Sequence, residues 1–224
     1  MQKLLWLGVT LLLAGSCTSE DSKTENKTIA EGTDSLEAVQ EEPQRQDTKS
    51  TIDTIAFEIA FEQFFTALQT SDTATINQFI DPEHGLWIIE QPGALPKMTR
   101  VKDISTFKRE YQDRSFLTIR EEVKTCDLKA ETWPTFDCAD MDYDKKTSGY
   151  SKDGCFVASP GKFQKSGYWD YASLSESEIQ TIKATLPFLR KSVLHTATSF
   201  EFHFGYIDNH WRLLFTKLIY PCSA

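Results

Sequence analysis

Asp81, Glu83 and His84 crowd into four residues just ahead of the apolar stretch Gly85 to Glu90, which carries Trp87. A carboxylate beside an imidazole can move a proton to and from a reacting group. Asp81 and His84 are therefore the candidates for hydrolase or isomerase chemistry. The plainer reading of the same residues is a polar turn between a helix and a strand. The remaining histidines, His195, His203 and His210, form no H-E-x-x-H pair, and the chain holds no G-x-S-x-G, P-loop or G-x-G-x-x-G. His203 alternates with Glu201 along an aromatic segment, which assigns both to the outer, mixed face of a sheet. With no catalytic motif to carry a reaction, binding without chemistry is the leading expectation, and no cofactor is implied.

Cys126, Cys138, Cys155 and Cys222 are the second set of reactive side chains. None has the short spacing of structural zinc ligands, so no metal site is expected. In an exported protein such cysteines form disulfides. Four of them allow three connectivities. Cys138–Cys155 would staple the polar loop 139–154, leaving Cys126–Cys222 by elimination. In that loop Asp140, Asp142 and Asp144 share the spacing of the first half of a calcium loop, but Lys145 and Ser151 stand at positions six and twelve, where Gly and Glu are needed. A solvated loop is the expectation.

Aromatic residues supply the binding candidates. Phe57, Phe61, Phe64, Phe65 and Leu68 fall on one stripe at helical spacing, and Phe200, Phe202, Phe204 and Tyr206 alternate at period two. A helix laid over a strand would bring these sets together, either as core or as the lining of an apolar pocket. Tyr168-Trp169-Asp170-Tyr171 and Trp133 suit stacking against sugars.

The elements that must position these residues follow from pattern. A helix opens the domain and breaks at Ser71-Asp72, and Asp72 caps a short second helix that Asp81-Pro82 stops. Residues 85–90 read as a buried strand, 103–111 as a short helix capped by Asp103, and 115–126, 131–138 and 155–159 as strands. Ser175 with Glu178 forms a capping box for a helix over 175–193 that Pro187 kinks or ends. The segment 199–220 reads as two strands joined at Asp208-Asn209, which tolerate the positive φ of a tight hairpin. The class is α+β: helices first, then a curved antiparallel sheet.

Ahead of this domain lie Lys3, the apolar run Leu4–Leu13, small residues 14–16 and Cys17. That order is a secretory signal, and the run is too short to span a membrane. Residues 18–50 hold nine acids, four bases and no aromatic residue, and carry five of the chain's nine net negative charges. Such a composition cannot offset its ordering entropy, so 17–51 is expected to be a disordered acidic tether, with the folded domain over 52–224. The acidic balance disfavours nucleic acid as a partner.

Three resemblances can be stated on these residues. Ala14-Gly15-Ser16-Cys17 resembles a bacterial lipoprotein signal, which implies cleavage after residue 16 and acylation of Cys17, with palmitate-type chains as the membrane anchor. Thr18-Ser19-Glu20-Asp21 resembles the surface-export signal of Bacteroidetes lipoproteins. FEQFFTALQTSDTATINQFID and GYIDNHWRLLFTKL look like the opening and closing segments of the NTF2-like cone fold, over about residues 55–224. The resemblance implies an outer-membrane lipoprotein on the surface or periplasmic side. Its cone would bind a small apolar or sugar ligand near Phe61, Phe65, Trp87, Phe202 and Phe204, or an envelope protein. It also implies a place for Asp81 and His84 in that cone. A purely structural envelope role is the remaining alternative.

Overall fold

The structure, a computed structural model, describes residues 44–142 and 144–222. Cys17 and most of the expected tether lie outside the described residues.

Helix α1 (Gln44–Thr70) begins inside the segment assigned to the tether. It ends where Ser71 takes a positive φ, and Asp72 accepts the backbone N–H of Thr75 to start α2 (Thr73–Gln78). Strands β1 (Leu86–Glu90) and β2 (Lys97–Val101) form an antiparallel pair. The expected helix at 103–111 is a single 3-10 turn, Ile104–Thr106. Residues 115–126 are not a strand. Ser115 accepts the N–H of Leu117, and a 3-10 helix follows over Phe116–Glu121. Phe116, Ile119 and Val123 are buried, a helical spacing that the apolar content of the stretch conceals.

The chain continues through β3 (Leu128–Lys129), β4 (Phe136–Asp142), β5 (Thr147–Tyr150) and β6 (Cys155–Ala158). Short helices α3 (Gly161–Gln164) and α4 (Tyr168–Tyr171) precede α5 (Glu176–Thr185), which carries the expected capping box at Ser175 and Glu178. Pro187 ends this helix rather than bending it: a 3-10 turn at Leu186–Phe188 leads into β7 (Leu189–His195). Strands β8 (Phe200–Ile207) and β9 (His210–Lys217) close the fold as a hairpin. Asp208 and Asn209 both have positive φ, as the two-residue turn requires.

Seven strands form one curved, unclosed, mostly antiparallel sheet in the order β2-β1-β9-β8-β7-β6-β3. The pairs β1–β9 and β3–β6 are parallel. The hairpin β4–β5 forms its own small sheet. Helices lie on both faces. Phe57, Phe61 and Phe64 of α1 share one core with Phe200, Phe202 and Phe204. Phe163, Trp169 and Ile182 of α3–α5 share a second with Trp87, Leu214 and Phe215. The helices are thus not confined to the N-terminal part.

Cys126, Cys138, Cys155 and Cys222 are all paired, but as Cys126–Cys155 and Cys138–Cys222. The parallel register sets Leu128 beside Cys155, and Cys126, two residues earlier, comes within 5.2 Å Cα–Cα of Cys155. The 139–154 segment needs no staple, because β4 and β5 already close it through backbone hydrogen bonds. Cys138 is left on that hairpin to meet Cys222 near the chain end.

Candidate functional site

On β8, Phe200, Phe202 and Phe204 point to α1, so Glu201 and His203 point the other way. The sequence placed them on an outer face. Instead α3 and α4 cover that face and bury them, Glu201 to 8% exposure and His203 to 0%. Strand register then supplies their partners. Ser192 on β7 lies opposite His203, and Lys217 on β9 lies opposite Glu201. Ser192 Oγ is 2.7 Å from His203 Nδ1, His203 Nε2 is 3.3 Å from Glu201 Oε2, and Lys217 donates to Glu201 Oε1. Phe163 stacks on the imidazole, centroids 3.7 Å apart.

Burial opposes a charge on Glu201, but His203 and Lys217 more than offset it and pull its pKa down to about 2. Burial lowers the His203 pKa and also opposes charge on Lys217, but Glu201 outweighs it and raises the Lys217 pKa. The set is a carboxylate, an ammonium and a neutral imidazole. An ionised carboxylate only accepts, so the ring proton is assigned to Nε2, and Nδ1 accepts from the Ser192 hydroxyl. The order Ser192, His203, Glu201 is that of a nucleophile, base and orienting acid. However, Ser192 is only 1% exposed and the imidazole is sealed under Phe163. The relay therefore fixes Glu201 in place.

Glu201 opens into a cleft of about 430 Å³, within the size range of small-molecule sites. Its walls include Trp133, Phe136, Tyr150, Tyr168 and Phe163. Trp133 is anchored by its indole N–H to the Phe156 carbonyl, 3.0 Å. Lys217 Nζ sits 5.7 Å from the centre of the Tyr168 ring, a cation–π distance. Of the expected sugar-stacking run, Tyr168 lines this cleft, Trp169 is core and Tyr171 is exposed.

The other candidates fall elsewhere. Asp81 accepts the backbone N–H groups of Glu83 (2.9 Å) and His84 (2.7 Å) and faces His84 Nδ1 at 2.8 Å. Burial raises its pKa, but these hydrogen bonds outweigh burial and the net shift is downward. Arg100 holds the carbonyls of His84 and Glu83. One carboxylate oxygen is thus committed to its own turn, and the other lies 4.0 Å from Arg212 Nε on β9. Phe61, Phe202 and Phe204 are buried and Phe65 partly buried. Their rings contact one another through Phe64 and Phe61, with centroids at 5.5–6.1 Å. Trp87 lies in the opposite core, so the structure does not bring it to these phenylalanines.

Sequence reasoning missed Arg109. It is 2% exposed and reaches Glu122 and Tyr220, each at 3.0 Å, and Glu90 at 3.7 Å. Tyr220 in turn donates to Glu122 at 2.5 Å. A second cleft of about 480 Å³ lies beside this cluster. Burial raises the Glu90 pKa despite Arg109. The guanidinium is shared between two carboxylates, so the cluster clasps the chain end to β1 and to the 116–121 turn. Ser192 and Lys217 were also missed. Only strand register pairs them with His203 and Glu201.

No protein-family model matches the chain, and comparison with curated proteins and with solved structures returned no match.

Proposed function

We propose that this protein is an envelope lipoprotein, anchored through Cys17, whose domain binds a small ligand in the Glu201 cleft without transforming it. The observation that carries the reading is a buried charge cluster beneath an aromatic-walled cleft. Fixing Glu201 ionised at a depth where only 8% of it meets solvent costs desolvation energy, and Lys217, His203 and Ser192 are arranged to offset that cost. A purely structural surface has no need of such a floor.

The N-terminal pattern and Cys17 support the anchor, and with it an outer-membrane site on the surface or periplasmic side. Two disulfides fit an oxidising compartment. An opening helix over the sheet, a short second helix and a closing strand meander support the NTF2-like reading.

The test is native mass spectrometry of the full chain extracted from its own envelope in detergent, beside Trp133→Ala. A small-molecule adduct on the wild type that the variant loses is expected. Bare mass in both overturns the reading.

A further inference from the structure

We propose that the cleft binds an acidic saccharide, a chain of at least two sugar residues carrying carboxylate or sulfate. This rests on the ligand-binding reading above and names its ligand class.

Three observations lead there. The first is shape. A second hollow of about 440 Å³ adjoins the Glu201 cleft and shares Trp133, Lys162 and Phe163 with it. The two adjoin at those residues as the neck of a trough, and their volumes have room for more than one sugar ring. Its openness and charged floor do not suit a fatty chain, which needs an enclosed apolar cavity.

The second is the balance of charge. The protein carries a net charge of −9, yet the trough, lined by Lys162, Lys191, Glu131 and Glu201, has a cationic excess once the partners of its carboxylates are counted. Its carboxylates are already paired: Glu201 with Lys217, and Glu131 with Lys152 at 2.8 Å. Lys162 and Lys191, which line the second hollow, have no ion-pair partner among the described residues. The charge left over is positive, and two spare lysines at the neck and in the second hollow call for an anionic ligand.

The third is the chemistry of the walls. Trp133, Phe136, Tyr150 and Tyr168 are each half-buried and present apolar surface next to hydroxyl groups from Thr135 and Ser166. Sugars have the same mixture, apolar C–H faces ringed by hydroxyls. Each carboxylate oxygen of Glu201 carries two lone-pair sites; Lys217 uses one on Oε1, and His203 Nε2 lies 3.3 Å from Oε2. Both oxygens can still accept, and two acceptors on one rigid carboxylate match two neighbouring sugar hydroxyls. One ring would rest over Glu201 between the aromatic walls. The next would pass the neck and bring its acidic group to Lys162 and Lys191.

The experiment is titration calorimetry on the full chain in detergent, with three probes: digalacturonate, a neutral galactose disaccharide, and inorganic sulfate. Digalacturonate is expected to bind about tenfold tighter than the neutral disaccharide at low salt, as two solvent-facing ion pairs allow. The gap should close near molar salt, where screening is short-ranged. Lys162→Ala and Lys191→Ala should each weaken digalacturonate about threefold and leave the neutral disaccharide unchanged. These are surface substitutions, so they report on binding even if Trp133→Ala impairs folding. Equal affinity for the acidic and neutral disaccharides overturns the proposal, as does sulfate binding as tightly as digalacturonate. If no saccharide binds while envelope-extracted protein keeps an adduct that Trp133→Ala loses, the saccharide assignment fails and the ligand-binding reading stands. If neither is seen, both fail.

Discussion

The two faces of β8 have opposite chemistry. Toward α1, Phe200, Phe202 and Phe204 meet the helix phenylalanines edge to face, for example Phe64 against Phe204 at 5.5 Å and 79°. Toward α3 and α4, Glu201 and His203 meet Ser192, Lys217 and the cleft. Both faces are buried, so exposure does not separate them. What differs is how each is stabilised. The first gains from apolar area and ring contacts that tolerate any pH. The second must offset the desolvation of two charges through specific partners, and that makes it sensitive to pH and to single-atom changes.

The largest effect should come from the aromatic face. Phe64 is fully buried and contacts Phe61, Phe79, Phe202 and Phe204. Phe64→Ala is expected to cost about 4 kcal/mol in urea denaturation, with the same loss at pH 7 and pH 4. Ligand affinity of the folded fraction should not change. A loss that varied with pH, or a weakened cleft, would mean that the faces are coupled.

Next is Glu201→Gln. Its folded pKa of about 2 lies below its ordinary 4.5, so its stabilisation is present above 4.5 and is lost as pH falls toward 2. The shift corresponds to about 3 kcal/mol at neutral pH. His203 and His195 add an earlier loss. Burial depresses both pKa values below 6.5, so the unfolded chain takes up protons first as pH drops below 6.5. The wild type should therefore lose stability in two stages on acidification. Glu201→Gln should start about 3 kcal/mol lower at pH 7, with Lys217 left uncompensated, and lose the stage between 4.5 and 2. Urea midpoints across pH 2–8 measure both. An unchanged acid limb would show that the cluster does not hold Glu201 ionised.

The contrast also explains what was legible in the sequence. The aromatic face was, because Phe57, Phe61 and Phe64 follow one helical stripe and Phe200, Phe202 and Phe204 one strand alternation. Each is a local period that survives whatever packs against it. The hairpin turn and the α5 capping box were legible for the same reason. The polar face was not. Ser192 becomes a partner of His203 only through the β7–β8 register, and β7 itself was hidden behind Pro187 in what reads as a continuing helix. The disulfides fail in the same way: sequence proximity favoured Cys138–Cys155, whereas the parallel β3–β6 register brings Cys126 to Cys155. Asp81 and His84 were found as a pair, but composition cannot tell a carboxylate spent on its own turn from one aimed into a cleft.

The smallest effect sharpens the contrast most. Ser192→Ala removes one oxygen from a residue that is already 1% exposed, so the apolar area buried hardly changes. If this face behaved like the other, the substitution would be almost silent. The assigned tautomer says otherwise. With Nε2 protonated toward Glu201, Nδ1 is a buried acceptor whose hydrogen bond in the described structure comes from the Ser192 hydroxyl at 2.7 Å. Deleting that donor leaves the acceptor unsatisfied at a cost of about 1–2 kcal/mol. Losing that donor destabilises the neutral ring relative to the imidazolium, so the His203 pKa should rise toward 6.5 in the variant and the first acid stage should shrink. Nitrogen-15 NMR of the imidazole reads the tautomer and its titration directly. An Nδ1-protonated ring in the wild type, donating to Ser192, would reverse the assignment and leave Glu201 held by Lys217 alone.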